Sequence, residues 1–218
     1  MSSCLMVGMT TRLPVAQRRE QLVDAALTVA AAEGIGAATA RRVAEQAGVA
    51  LGVVHYCFAD KDELFAALAA RLVDELTGAG ESALDFDEPP DLAAALQAAV
   101  AGLWDAIEQT AGAQLLTYEI TTHALRHAEL RGVATRQYAA SQAAAERLLS
   151  LAAAASGATW TRSMPDLAGE ALAFVDGVTL RWLVDRDAEA ARARLSSYAG
   201  YLATQARAHR RRTRKAAR

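Results

Sequence analysis

Three sets of residues in this 218-residue chain have types and spacings suited to chemistry. Glu119, His123 and His127 recur at i, i+4 and i+8, so a helix places them on roughly one face. Carboxylate and imidazole together suit a transition metal, and imidazoles titrating near neutrality suit a pH sensor. No second carboxylate or cysteine cluster offers to complete a metal shell, so a glutamate with a histidine pair near a helix end is the plainer reading. The second set is Thr39, Arg41, Arg42 and Lys61, arranged around the small-residue stretch Ala-Gly-Val-Ala-Leu-Gly (47–52). A hydroxyl at a helix start, with the amides behind it, can hold phosphate oxygens. Small residues at the turn let two short helices cross closely. That is the helix-turn-helix requirement: a slim second helix must enter a major groove about 12 Å wide. The third set, Asp60 with Glu63, is a capping pair that starts a helix.

The elements that must position these residues are helices. Alanine, the strongest helix former, occurs 54 times, against only 14 glycines and 4 prolines. No Val/Ile-rich runs alternate with helical segments, which disfavours an α/β enzyme. Breakers and caps predict an all-α chain of about nine helices. The first spans Val15 to Glu33 with Leu22, Ala25, Ala26, Val29 and Ala32 on one face. Short helices at Ala40–Ala47, capped by Thr39, and Ala50–Cys57 follow, separated by Gly48. A fourth helix starts after Asp60 and stops at Gly78. The acidic stretch Glu81–Asp91, with Pro89-Pro90, reads as a loop between a small and a larger domain. Five more helices follow: Asp91–Gln109, Ala113–Arg126, Glu129–Ala155, a segment with Pro165 in its first turn that reaches Val184, and Ala188–Arg207. The expected organisation is a loose leader (1–14), a helix-turn-helix domain (15–60), a helical ligand-binding and dimerisation domain (61–208) and a basic tail (209–218).

Charge and cysteine content narrow the class further. Of 23 basic residues, seven lie in 207–218 with no acid among them, leaving 16 basic against 25 acidic residues before that point. Such a tail suits nucleic acid or an anionic surface, or is a solvated helix end. Through Leu64 six basic residues face seven acidic ones, so any DNA steering depends on local placement. Cys4 and Cys57 are too few for a disulfide scaffold or zinc site, and a reducing cytoplasm is expected. No apolar run reaches the roughly 18 residues of a membrane helix, and no cofactor motif is present.

The stretches Arg-Arg-Glu-Gln-Leu-Val-Asp-Ala-Ala-Leu (18–27), Thr-Ala-Arg-Arg-Val-Ala-Glu-Gln-Ala-Gly-Val-Ala (39–50) and Phe-Ala-Asp-Lys-Asp-Glu-Leu-Phe (58–65) together resemble the DNA-binding domain of the TetR family of transcriptional regulators. The resemblance implies that Thr39 binds a phosphate, that Arg41 lies near base edges or backbone, and that Leu51, Gly52 and Val53 face the groove. Lys61 would contact the DNA backbone. His55 stands where the family usually has a phosphate-binding tyrosine, and Tyr56 is next to it, so either takes that contact. Ala50 replaces a common serine or threonine. Leu51 and Val53 can touch only thymine methyls, which shifts specificity to Arg41, Arg42 and DNA shape.

The segments 118–126, 128–133 and 175–185 are similar to the effector domain of the BetI-like branch of that family. This implies a homodimer through the last two helices, with Leu172, Val175, Val178, Leu195, Tyr198 and Leu202 as its face. Helical-bundle pockets are apolar with a few polar groups, and Trp104, Tyr118, Glu119, Thr122, His123 and Phe174 are the candidates. The expected function is a dimeric, ligand-responsive regulator, a repressor of a palindromic operator in double-stranded DNA, and not an enzyme. The alternatives are a helical interaction module whose helix-turn-helix no longer binds DNA, and a helical metal-dependent enzyme.

Overall fold

A computed structural model describes residues 13–127 and 131–208. Among these are nine α-helices: α1 (Val15–Glu33), α2 (Ala40–Ala47), α3 (Leu51–Cys57), α4 (Lys61–Ser82), α5 (Leu92–Gln109), α6 (Ala111–Arg126), α7 (Arg131–Ser156), α8 (Met164–Asp185) and α9 (Ala188–Ala203). The expected all-α architecture is observed. Most of the leader, the start predicted for the seventh helix at Glu129 and the 209–218 tail lie outside the described residues. Two compact units result, divided inside α4 between Leu64 and Phe65. The division thus precedes the Glu81–Asp91 loop, where the proline pair suggested it.

In the first unit, local signals act as the sequence predicts. Leu22, Val23, Ala25, Ala26, Val29 and Ala30 of α1 are buried, whereas Ala32 is exposed. Thr39 caps α2, its hydroxyl accepting the Arg42 amide at 3.3 Å. Gly48 takes φ +65°, which only glycine adopts without strain. There the Gly48 N–H donates to Glu45 O at 3.2 Å and the Val49 N–H to Ala44 O at 3.0 Å, a Schellman closure. That closure sets the angle at which α3 leaves α2.

In the second unit, α5 packs on α9 and α7, and α7 packs on α6 and α8. One part of its core gathers Leu92, Leu96, Leu149, Leu167 and Leu202. Another gathers Trp104, Ile107, Val178, Trp182 and Leu195, with the two indoles edge to face at 5.2 Å. On the surface, Arg192 of α9 bridges Asp105 and Glu108 of α5, each at 2.7 Å.

Three features depart from expectation. Helix α4 does not stop at Gly78 but continues through Gly80 to Ser82. A Cβ on Gly80 would meet the Leu148 methyls at 3.1 and 3.2 Å, so glycine here permits close packing rather than ending the helix. Helix α9 ends at Ala203, not Arg207, and Ala206–Ala208 pairs antiparallel with Ala158–Trp160. The Thr161 N–H and hydroxyl donate to Gln205 O at 2.9 and 2.7 Å, a partner that the helical reading of this segment left out. Finally, the face assigned to dimerisation is turned inward. Leu195 and Leu202, with the half-buried Leu172, Val175 and Tyr198, line a cavity within the unit, and Val178 is buried in the core with Trp104.

Candidate nucleic-acid interface and ligand cavity

The reading head is built on α3. Val54, Cys57 and the following Phe58 point inward and are buried, which leaves Leu51, Gly52, His55 and Tyr56 exposed and Val53 half-buried. Tyr56 is 72% exposed, a large fraction for an aromatic side chain. His55 is also exposed, so both candidates for the family's tyrosine contact face solvent. Beside them, Leu13, Pro14, Val15 and Arg18 line a hollow of about 520 Å³ with Gly52, Val53, Tyr56 and Cys57.

The candidate DNA contacts on α2 differ in freedom. The Thr39 hydroxyl spends a lone pair on its cap and keeps its proton for an acceptor such as a phosphate oxygen. Arg41 is exposed. Arg42 is held: its Nε and Nη2 both donate to Glu33 Oε1, at 3.1 and 2.7 Å, which raises its pKa further. Lys61 is exposed at the first turn of α4.

Arg19 and Gln21 carry the scaffolding that sequence reading missed. The Arg19 guanidinium lies 4.3 Å from the centre of the Phe58 ring, donates to the Cys57 carbonyl and pairs with Glu63 at 2.8 Å. One side chain of α1 thereby fixes the end of α3 and the start of α4. Gln21 donates to Ala47 O at 3.0 Å, tying α1 to the end of α2. Glu63 accepts the Ala59 amide at 2.8 Å while its own amide donates to Asp60. This is a capping box displaced by one residue. The Ala59 amide first, and then Arg19, hold the Glu63 carboxyl below the usual range. The pairing of Arg19 with residues 57, 58 and 63 is a tertiary fact, and only its place in the 18–27 motif signalled it.

The second unit holds a cavity of about 170 Å³. Leucine, valine and alanine from α4 to α9 dominate its wall, including Leu72, Leu76, Leu96, Leu103, Leu148 and Leu172. Tyr118 alone of the six predicted ligand residues lines it. Trp104 is fully buried against Trp182, and Phe174 stacks on Tyr198 at 4.2 Å. Thr122 is exposed and donates to Tyr118 O at 2.8 Å. Glu119 and His123 do not line the cavity, and the His123 ring lies tilted against His127, centres 4.4 Å apart. Among the described residues no three His, Cys, Asp or Glu side chains gather as a metal site. None of their helices is long and apolar enough to cross a membrane.

Apart from Tyr118, the polar groups of the wall were not predicted as ligand contacts. Thr77 and Thr117 bond within their own helices, and Gln114 donates to the Thr110 hydroxyl just before α6. Asp176 is different. Tyr138 donates to its Oδ2 at 2.9 Å and Tyr118 to its backbone carbonyl at 3.1 Å. Burial pushes the Asp176 carboxyl up, against the tyrosine hydroxyls that lower it. Burial, then the nearby carboxylate, pushes Tyr138 up to about 12 and Tyr118 higher still.

Comparison with known proteins agrees with this geometry. Residues 22–68, from α1 into α4, match the family described as bacterial regulatory proteins, tetR family. The nicotine-responsive transcriptional repressor HdnoR of Paenarthrobacter nicotinovorans is 29% identical over 174 residues, 80% of this chain and 88% of that protein. The transcriptional regulator BetI of Serratia proteamaculans is 36% identical over 88 residues, 40% of this chain and 44% of that protein. A transcriptional regulator from Rhodococcus sp. Rha1 superposes with a TM-score of 0.65 at 26% identity, covering 86% of this chain and 97% of that one. Likeness thus extends from the reading head through the cavity-bearing unit: residues 22–68 form a DNA-binding domain of the tetR family, and the chain as a whole is similar to transcriptional regulators of that family.

Proposed function

We propose that this regulator is a homodimeric, ligand-responsive repressor acting in the cytoplasm on a palindromic operator. The observation that carries the reading is the continuity of α4. Its first turn belongs to the reading unit, and Leu72, Leu76 and Thr77 farther along the same helix line the cavity. A ligand that favours one setting of α4 would bias operator binding, to the extent that it binds that setting better. A coupling of about 1–3 kcal/mol is typical of such switches. The nicotine response recorded in the name of HdnoR supports a small-molecule effector here.

Thr39, Arg41, Leu51, Gly52, Val53, His55, Tyr56 and Lys61 form the proposed DNA surface, with Arg42 reduced to a supporting role by Glu33. For dimerisation, an exposed stripe on α8 replaces the inward set: Ala173, Gly177, Leu180 and Val184, with Tyr201 on α9. Small and apolar residues at i, i+4, i+7 and i+11 make one helix face, and a twofold interface needs such a self-complementary patch.

Selection of random duplex DNA by the purified protein, at two salt concentrations, tests the reading. The expected product is a palindrome with half-sites about 34–36 Å apart, or a wider arrangement, bound less tightly at the higher salt. A folded protein that enriches no site at either salt, with or without cell extract as a ligand source, would overturn it in favour of a protein-interaction module.

A further inference from the structure

The cavity wall contains an acid without a base. Asp176 lines it, and no lysine, arginine or histidine does. Tyr138 neutralises part of the demand on Oδ2, but a hydroxyl brings no charge. One turn along α8, at i+3, Thr179 also lines the cavity, and its side chain faces the same way. Thr179 is 2% exposed, and its hydroxyl, beside that of Tyr118, makes no hydrogen bond of good geometry. The wall's other buried polar side chains, Thr77 and Gln114, are already bonded. A buried polar atom left unpaired is costly and uncommon. Here one such hydroxyl, on Thr179, and an uncompensated carboxylate line one small, otherwise apolar space.

We infer that this cavity takes a small organic cation, a protonated amine with an apolar body, whose N–H groups donate to Asp176 and Thr179. The inference rests on the cavity being the effector site. An ammonium group supplies the missing positive charge and donors for both acceptors. Tyr118 and Tyr198 also line the cavity, and aromatic rings near a ligand suit a cation better than a neutral group. The leucines fit the body, and the volume sets its size: a dry cavity of roughly 150 Å³ accommodates benzene.

Benzylamine and its neutral analogue benzyl alcohol, titrated calorimetrically into the full-length protein at neutral pH, test this. The expected result is that the amine binds about thirtyfold more tightly, the range of one charge-assisted hydrogen bond. Asp176→Asn should bring the two affinities within about threefold while retaining the alcohol, and Thr179→Val should weaken the amine about fivefold. Ala171→Phe, which fills the cavity, should abolish both. Equal affinities in the native protein, both lost in Ala171→Phe, would overturn the cation and keep the cavity as the ligand site. A preference for amine that survives Asp176→Asn would overturn the assignment to that carboxylate. Binding that survives Ala171→Phe, or no binding of either probe up to about 10 mM, would overturn the cavity reading as well. The comparison in the native protein needs no variant to fold.

Discussion

Arg41 and Arg42 are sequence neighbours with different obligations. Arg42 is committed to Glu33, while Arg41 is exposed. Arg41→Ala should weaken operator binding by about tenfold and, if the contact is to phosphate, reduce the salt slope by about one. Arg42→Ala should have a smaller effect on DNA, and dimerisation should survive both. Fluorescence anisotropy across a salt series would distinguish them, and equal losses would return Arg42 to the interface. The second prediction concerns Asp176, whose pKa burial raises in the folded state. The folded protein then holds this proton more tightly than the unfolded chain does, so stability falls as pH rises from the unfolded carboxyl pKa through the folded one. Asp176→Asn removes that loss. It should melt on the order of 2 °C above the native protein at pH 7, with the gap closing below pH 4. A gap that widens in acid would reverse the sign. Neither pattern was legible in the sequence. Arginine 42 reads as a free cation until its partner nine residues earlier is placed. A single aspartate among the apolar residues of α8 carries no mark of facing inward.

At the scale of elements, local chemistry was well written and tertiary contact was not. The bounds of α1 and α2, the Thr39 cap and the Gly48 turn follow from neighbouring residues and match the structure. The α4 stop, the α9 end and the α8–α9 face failed because each depends on a distant partner: Leu148 over Gly80, Gln205 O under Thr161, and the cavity behind Leu172 and Val175. An amphipathic helix shows its richest apolar stripe to its own core first. The face left for a second molecule is therefore the weaker stripe. The ligand candidates erred similarly, since aromatic residues announce burial and not which buried space they line. Two glycines give a test. Gly102 has no room: a Cβ there would lie 2.8 Å from Ala79 O and from the Ala83 Cβ, so Gly102→Ala should destabilise by about 1–3 kcal/mol. Gly78 is helical with open space around it, and Gly78→Ala should stabilise by about 0.5–1 kcal/mol. Urea titrations of both variants would check the opposite signs.

For the molecule as a whole, the proposed function depends on two copies holding two reading heads in register. Val184 and Leu180 are 78% and 48% exposed on α8, apolar side chains left in water by a lone chain. Leu180→Arg with Val184→Glu should yield a folded monomer by sedimentation, with operator affinity reduced at least about a hundredfold because bivalent engagement is lost. A double variant that remains dimeric would place the interface elsewhere. Two compact units also make a single melting temperature an incomplete description, since each can open by itself. The Cys57 thiol, 4% exposed behind the carbonyl that Arg19 grips, offers a chemical clock for one of them. A thiol reagent reaches Cys57 only when α3 leaves its seat, so its labelling rate, followed by peptide mass, counts openings of the reading head alone. Slowing of that clock by operator, and its response to a cavity ligand, would express the coupling between the two units as a lifetime.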